Sequence, residues 1–543
     1  MLSGRDIERI PLTYLGKFEE FLGPGYGIHL VRLEGPAAEK FGIASGMSGS
    51  PVYVEGRLIG ALSYRLGQYP KEAIGGVTPI EAIRSAARSA ATAAPVSDLA
   101  SPIATPLASS GLHPQLREWA REQLEALGLV WTDGLGTSGS GDAGEGVFEG
   151  GSPIGVALAR GDWSFAATGT VTAVEDGVVY AFGHPFMGTG AVRFPMHEAT
   201  VVHTLADALG SRKLATIGDE VGVITDDRLT AIVGNLNDRV AMIPMDIRVH
   251  SAGSDTPRNA HVEFVDVPGL TPLLAALSVS NSIFRHVEHE VTGTVLSTGT
   301  VRLLDRPDVP FELAAASESG NPMGVVAAKV QQILSALWNN PFERPVVEGI
   351  DVDIEVSPDI HNYFIESLQY DRKAIEPGGV LRVQAVLKPW RGEKVHRQLE
   401  LRLPHGAKVG STLRVAVGSP QQVERALGNP LARRLSTSED LAGVIRVIGE
   451  MKAENRLMAV LYDDSPTVVR DGAVFSKLPA TAAHLLSTGA RSGAATHSRV
   501  SRLATTQVEL DGPVGGGLTI GVMVAGGESS EDPKESPDMK APE

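Results

Sequence analysis

The sequence predicts a mainly β chain. Its 543 residues include 61 glycines and 34 prolines, while aromatics make up only 5%. The apolar runs are short and valine-rich, and glycine or proline splits them at intervals suited to strands and tight turns. Hydrophobic residues are 43% and charged residues 21% of the chain, which is enough to build cores and excludes wholesale disorder. At roughly 100–200 residues per domain, the length has room for about three or four.

Residues 1–91 read as a first strand-rich unit. IPLTYLGKF, GIHLVRL, SPVYVEG, RLIGALSY and IGGV are its strands. SPVYVEGRLIGALSY is a hairpin turning at Glu55-Gly56. TPIEAIRSAARSA then reads as a helix, with Thr78 as N-cap, Pro79 at the first helical position and Glu81 completing a capping box. Residues 92–146 read as a linker and helical insertion. Ala, Pro and Ser dominate its first part. LHPQLREWAREQLEALGL is an amphipathic helix stopped by Gly128, and GLGTSGSGDAGEG is a flexible stretch.

A second strand-rich unit spans 147–310, with turn signals such as Glu175-Asp176-Gly177. Residues 311–348 form a helical connector around MGVVAAKVQQILSALW. Residues 349–410 alternate apolar and polar (IDVDIEV, VLRVQAVLKPW, RQLELRLP), the pattern of a half-buried antiparallel sheet, so a β-sandwich is expected there. Residues 411–526 mix strand and helix patterns and read as a small α/β module. Residues 527–543 are an acidic disordered tail.

Cysteine is absent, which excludes thiol catalysis, thiolate metal sites and disulfides. A net charge of −16 argues against a nucleic-acid partner, which needs clustered Lys and Arg. No run approaches the ~18 apolar residues of a membrane span, and the first residues do not have the pattern of a signal peptide. The cluster His286-Val287-Glu288-His289-Glu290 lacks metal-ligand spacing, because in a strand its histidines face opposite sides. No metal or organic cofactor is expected. His197 and His203 read as structural, and the pairs Asp351/Asp353 and Asp463/Asp464 as edge or turn acids.

Two segments carry chemistry. In Gly46-Met47-Ser48-Gly49-Ser50-Pro51 the glycines allow a tight turn beside a serine. Such a turn directs the backbone N–H groups of Gly46 and Ser48 into one hollow fit for an oxyanion, with the Ser48 hydroxyl beside it as nucleophile. The other reading is a glycine-rich turn without chemistry. In Tyr180-Ala181-Phe182-Gly183-His184-Pro185-Phe186 a histidine stands at a strand end, where its near-neutral pKa suits a general base for serine. The other reading is a histidine bonded into a turn.

GIASGMSGSPVYVEGRLIGAL, VYAFGHPF and GDEVGVITDDRLTAIVG together resemble the SpoIVB family of serine peptidases. The specific motifs are Gly46–Pro51 and Gly183-His184. The looser likeness covers 10–90 and 148–250 and is weaker beyond. The resemblance implies a trypsin-like double β-barrel, a serine endopeptidase activity on a peptide or protein substrate, Ser48 as nucleophile, His184 as base, and export to the cell envelope or beyond. Here the serine precedes the histidine, whereas in the sporulation protease the order is reversed; triads tolerate either order when the geometry is kept. The family acid lies a little upstream of the serine, which points to Glu34, with Asp162, Asp226 and Asp227 as alternatives. A Ser–His dyad and a catalytically inactive protein-binding scaffold of the cell envelope stay open.

Overall fold

The computed structural model describes residues 4, 6–67, 71–88, 100–126, 129, 131, 148–207, 210–251, 256–285, 292–317, 322–370, 374–465, 467–470, 473–476, 481–482, 496–498 and 500–526. Strands hold 51% of the chain and helices 18%, so the class is mainly β. The glycine-rich segment 134–146, the cluster 286–290 and the tail 527–543 lie outside the described residues.

The serine-bearing half is a curled six-stranded sheet. Its order is Leu12–Gly23, Tyr26–Leu33, Ile74–Pro79, Arg57–Leu66 and Ser50–Val54, with Ala100–Pro102 added beside Arg57–Leu66. The predicted hairpin forms: Ser50–Val54 pairs antiparallel with Arg57–Leu66. Glu55 and Gly56 both take positive φ, 50° and 78°, the conformation that a twisted two-residue hairpin requires.

The histidine-bearing half closes on itself. Pro153–Gly161 pairs with Gly190–Leu205, then come Arg212–Arg228, Ala231–Leu236, Val178–Ala181 and Ser164–Glu175, which returns to Pro153–Gly161. All neighbours in this ring are antiparallel, so it is a six-stranded barrel without free edges. Ile154, Val156, Leu158, Phe165, Phe194 and Met196 belong to its buried core.

One side of the barrel grows into a larger sheet. From Pro153–Gly161 it continues through Arg258–Phe264, Ile243–Ser251, Val347–Ser357, Gly293–Leu303 and Val309–Ser317. Two helices, Thr271–Phe284 and Pro322–Trp338, pack together on it. Every residue of Thr271–Phe284 is buried. A helix covered on all sides has no polar stripe, which is why a strand-only reading of 147–310 passed over it.

Three expected boundaries move. Thr78 does not cap a helix: it ends a strand, and the helix Ile80–Arg84 follows Pro79 with no side-chain cap. Val347–Ser357, expected to open the sandwich, instead completes the large sheet by pairing parallel with Ile243–Ser251. The sandwich lies further on and takes in the strands assigned to a separate α/β module. One sheet is Val395–Arg402, Val380–Pro389, Tyr363–Tyr370 and Val514–Gly515; the other is Ala374–Ile375, Gly517–Val524, Thr412–Gly418, Arg456–Asp463 and Ser501–Glu509. Leu381, Val383 and Leu399 of the first meet Val415, Leu457 and Val522 of the second in one core. The helix Leu441–Gly449 packs back on the large sheet through Leu441, Val444, Ile445 and Ile448. No helix among the described residues is long and apolar enough to cross a membrane.

Candidate active site

Ser48 comes from the first half and His184 from the second, and the loops that carry them touch where Gly49 packs on the Phe182 backbone. The serine loop, 44–49, docks on the mouth of the closed barrel through backbone contacts. The Thr170 amide donates to the Ser48 carbonyl at 3.0 Å. The hydroxyls of Thr170 and Thr172 donate to the carbonyls of Gly46 and Gly49 at 3.0 and 2.9 Å. Ser45 exchanges backbone bonds with the strand Arg212–Arg228, donating to Ser211 and accepting from Lys213.

Gly49 is glycine for two reasons. Its φ is +91°, and a Cβ there would stand 2.0 Å from the Thr170 carbonyl oxygen and 2.6 Å from the Phe182 amide nitrogen. The residue after Ser48 therefore abuts the backbone two residues before His184.

The histidine loop is turned by two consecutive left-handed residues, Phe182 at φ 68° and Gly183 at φ 72°. Phe182 is buried and is not glycine, so the surroundings hold it in a costly conformation. They do so through Gly169, whose missing side chain leaves space for the Phe182 ring, and through Thr78, whose hydroxyl donates to the Gly183 carbonyl at 2.7 Å. Asp227 secures the far side. Its buried carboxylate accepts the amides of Phe186 and Met187 at 2.7 and 2.8 Å, with Thr189 at 3.3 Å. Burial pushes its pKa up against the pull of these amides.

Ser48 and His184 are both buried, at 0% and 2% exposure. His184 Nδ1 lies 2.7 Å from the Pro185 carbonyl; only an N–H can bond a carbonyl, so Nε2 carries the free lone pair. Burial drives the ring's pKa down to about 4, against the opposing effect of the Pro185 and Ile103 carbonyls. Ser48 Oγ and His184 Nε2 do not bond each other: each is buried without a hydrogen-bond partner. Other buried side-chain polar atoms, Tyr64 OH, Trp131 Nε1 and His197 Nε2 among them, are likewise unbonded.

The segment 103–106 lies across the same junction. Its ends are fixed by Ala100–Pro102 on one half and Leu107–Ser110 on the other. The Ala104 carbonyl accepts the Gly46 amide at 3.2 Å. Of the two amides expected to form an oxyanion hollow, Gly46 is thus engaged, while Ser48 N–H donates to no described residue. The amides of Met47 and Gly49 are also taken, by Ala44 and Leu62.

None of the four proposed acids bonds the histidine ring. Glu34 accepts from the Thr13 hydroxyl at 2.5 Å and from Arg32; these hold its carboxyl below the usual range. It lines an open polar groove of about 530 Å³ with Arg32, Arg65 and Asp207. Asp162, at a hairpin tip, accepts the His261 amide at 2.7 Å. Asp226 is paired with Arg228. Asp227 acts on the loop that follows His184 rather than on the ring.

Elsewhere, His197 bonds the Gly218 carbonyl and His203 is exposed. Asp351 and Asp353 pair with Arg302 and Arg248, and Asp464 with Arg414. Among the described residues no three His, Asp or Glu side chains converge as metal ligands.

Lys213 and Thr170 were not singled out from the sequence. Lys213 is 5% exposed, and its Nζ donates to the Thr170 hydroxyl at 3.3 Å. A signal for it was present. In RKLATIG the buried positions alternate, placing Lys213 on the inward face with Ala215 and Ile217. Compared with models of known protein families, with curated proteins and with solved structures, the chain matches none.

Proposed function

We propose that this chain is a serine endopeptidase of the SpoIVB type, with Ser48 as nucleophile and His184 as base. The observation that supports the reading is a serine hydroxyl and an imidazole nitrogen, each buried and unbonded, on two loops that touch through Gly49 and Phe182. Nε2 takes the hydroxyl proton as Ser48 Oγ bonds the peptide carbonyl carbon. The carbonyl electrons move to oxygen. On collapse the C–N bond breaks, and the leaving amine takes the proton from His184, giving an acyl-enzyme that water hydrolyses through the same base. Burial lowers the His184 pKa to about 4, so the ring is unprotonated at neutral pH and a weaker base than a solvated imidazole.

The complete burial of Ser48 favours a second reading, a protein-binding scaffold on a catalytically silent peptidase fold. Fluorophosphonate labelling separates the two. An endopeptidase is labelled in the parent and in neither Ser48→Ala nor His184→Ala. Absence of labelling under every condition supports the scaffold.

A further inference from the structure

We propose that Lys213 is a second catalytic group of this site, a buried cation held to stabilise the oxyanion formed when Ser48 attacks. The inference rests on Ser48 being the nucleophile.

Three observations lead to it. First, the oxyanion hollow lacks a donor. Gly46 N–H is bound to the Ala104 carbonyl on a segment anchored in both halves, which leaves the Ser48 amide alone among the loop's N–H groups. One amide is half of what acyl transfer commonly uses.

Second, Lys213 runs along the serine loop. Its amide donates to the Ser45 carbonyl. Its Cβ and Cδ lie 3.3 Å from where a Gly46 Cβ would stand, and Gly46 has φ +89°, so a side chain there would be strained and would crowd the stem. Its Nζ ends at Thr170 Oγ1, which itself donates to the Gly46 carbonyl, while the Thr170 amide holds the Ser48 carbonyl. The ammonium is therefore one residue's hydrogen bonds away from both Gly46 and Ser48.

Third, the cation has no counter-charge among the described residues. No Asp or Glu among the described residues forms an ion pair with it, and burial alone lowers its pKa, to about 8. The groups around it are Thr170 on the barrel strand Ser164–Glu175, Ser45 and Gly46 on the serine loop, and Thr204 opposite on Gly190–Leu205. Its neighbour Arg212 is paired with Asp207, and His184 is the other titratable group of the site. An isolated buried cation is strongly disfavoured. One that retains unused N–H donors and lies one threonine away from the Ser48 backbone is matched by negative charge that forms only as the serine reacts. The Ser48 proton still passes to His184; Lys213 gains and loses no proton in the cycle.

The test is the rate at which a fluorophosphonate probe labels the full chain between pH 5 and 10, in the parent, Lys213→Met and Lys213→Arg, with thermal unfolding of each as the folding control. The parent rate should fall above about pH 8 as the ammonium is lost. Lys213→Met should fold and label about 10²-fold more slowly, the usual effect of removing an oxyanion donor. Lys213→Arg should stay within about tenfold of the parent and lose the alkaline fall, because a guanidinium keeps its proton. A rate that rises through pH 8 and collapses in both variants makes Lys213 a base and overturns the proposal. So does a folded Lys213→Met that labels like the parent. A parent not labelled at Ser48 overturns the hydrolase reading and the Lys213 role with it.

Discussion

The Thr170 amide donates to the Ser48 carbonyl over 3.0 Å, while the Thr170 hydroxyl joins Lys213 Nζ to the Gly46 carbonyl. One residue of the closed barrel thus fixes the serine loop from both sides. Thr170→Val keeps the shape and the amide bond but leaves a buried carbonyl and a buried ammonium without their shared partner. It should lower stability by about 2–4 kcal/mol, seen as a lower urea midpoint at unchanged m-value.

Gly49→Ala should be among the most damaging single-methyl additions in the chain. The new Cβ meets the Thr170 carbonyl oxygen at 2.0 Å, at φ +91°. The cost should exceed about 3 kcal/mol, from overpacking added to backbone strain. Gly56→Ala is the control. Its φ is +78° but nothing lies within 4 Å, so it should lose only the ~1–2 kcal/mol of the left-handed conformation. Equal midpoints for the two variants would show that the serine loop does not dock as described.

Asp227→Asn replaces an acceptor that serves several amides with a group that has one accepting oxygen. At least one of the Phe186, Met187 and Thr189 amides then faces an NH₂, at a cost of about 1–3 kcal/mol. Hydrogen exchange at residues 186–189 should quicken. Fluorophosphonate labelling should fall as well, although Asp227 bonds neither Ser48 nor the His184 ring. Unchanged exchange would remove the clamp from the account.

Acid should destabilise the fold through His184. Its folded pKa is about 4 against an ordinary 6.5, so between these values the unfolded chain holds a proton that the folded chain refuses. Stability is therefore full above about pH 6.5 and falls as pH drops toward 4, by about 3 kcal/mol for the whole window. His197, also lowered by burial, contributes with the same sign. His184→Gln should flatten part of the slope of stability against pH, measured by denaturant unfolding at pH 4.5, 5.5 and 7. An unaltered slope would mean that the ring is not buried in solution.

Ser48→Ala removes a buried hydroxyl that bonds nothing. Its stability should match the parent or exceed it by about 1 kcal/mol, since an unsatisfied polar group leaves the interior. A marked loss of stability would mean that the hydroxyl has a structural partner.

Local features were the most legible in the sequence. Glu55-Gly56 and Asp176-Gly177 turn hairpins, because adjacent positive-φ positions favour such residues. Gly46–Pro51 and Gly183-His184 were readable for a related reason: tight turns and close backbone approach leave few residue choices. What depends on distant packing was not readable. Thr78 looked like a helix cap, but its hydroxyl is used by Ser63 and Gly183, the latter 105 residues away. The buried helix Thr271–Phe284 has no periodicity to announce it. Residues 349–356 alternate as an outer strand does, and only their parallel partner at 243–251 shows which sheet they join. The four acids were judged by sequence position alone, whereas their roles follow from what each carboxylate can reach.

The sheet beside the barrel is completed by Val347–Ser357, and its core by the helix Leu441–Gly449. Ser48 and His184 therefore leave the ribosome long before the elements that finish the support of their junction. At about 5–20 residues per second, the first half waits many seconds with the edge of Ile243–Ser251 uncovered. A chain assembled in this order keeps that edge open until Val347–Ser357 arrives to pair with it.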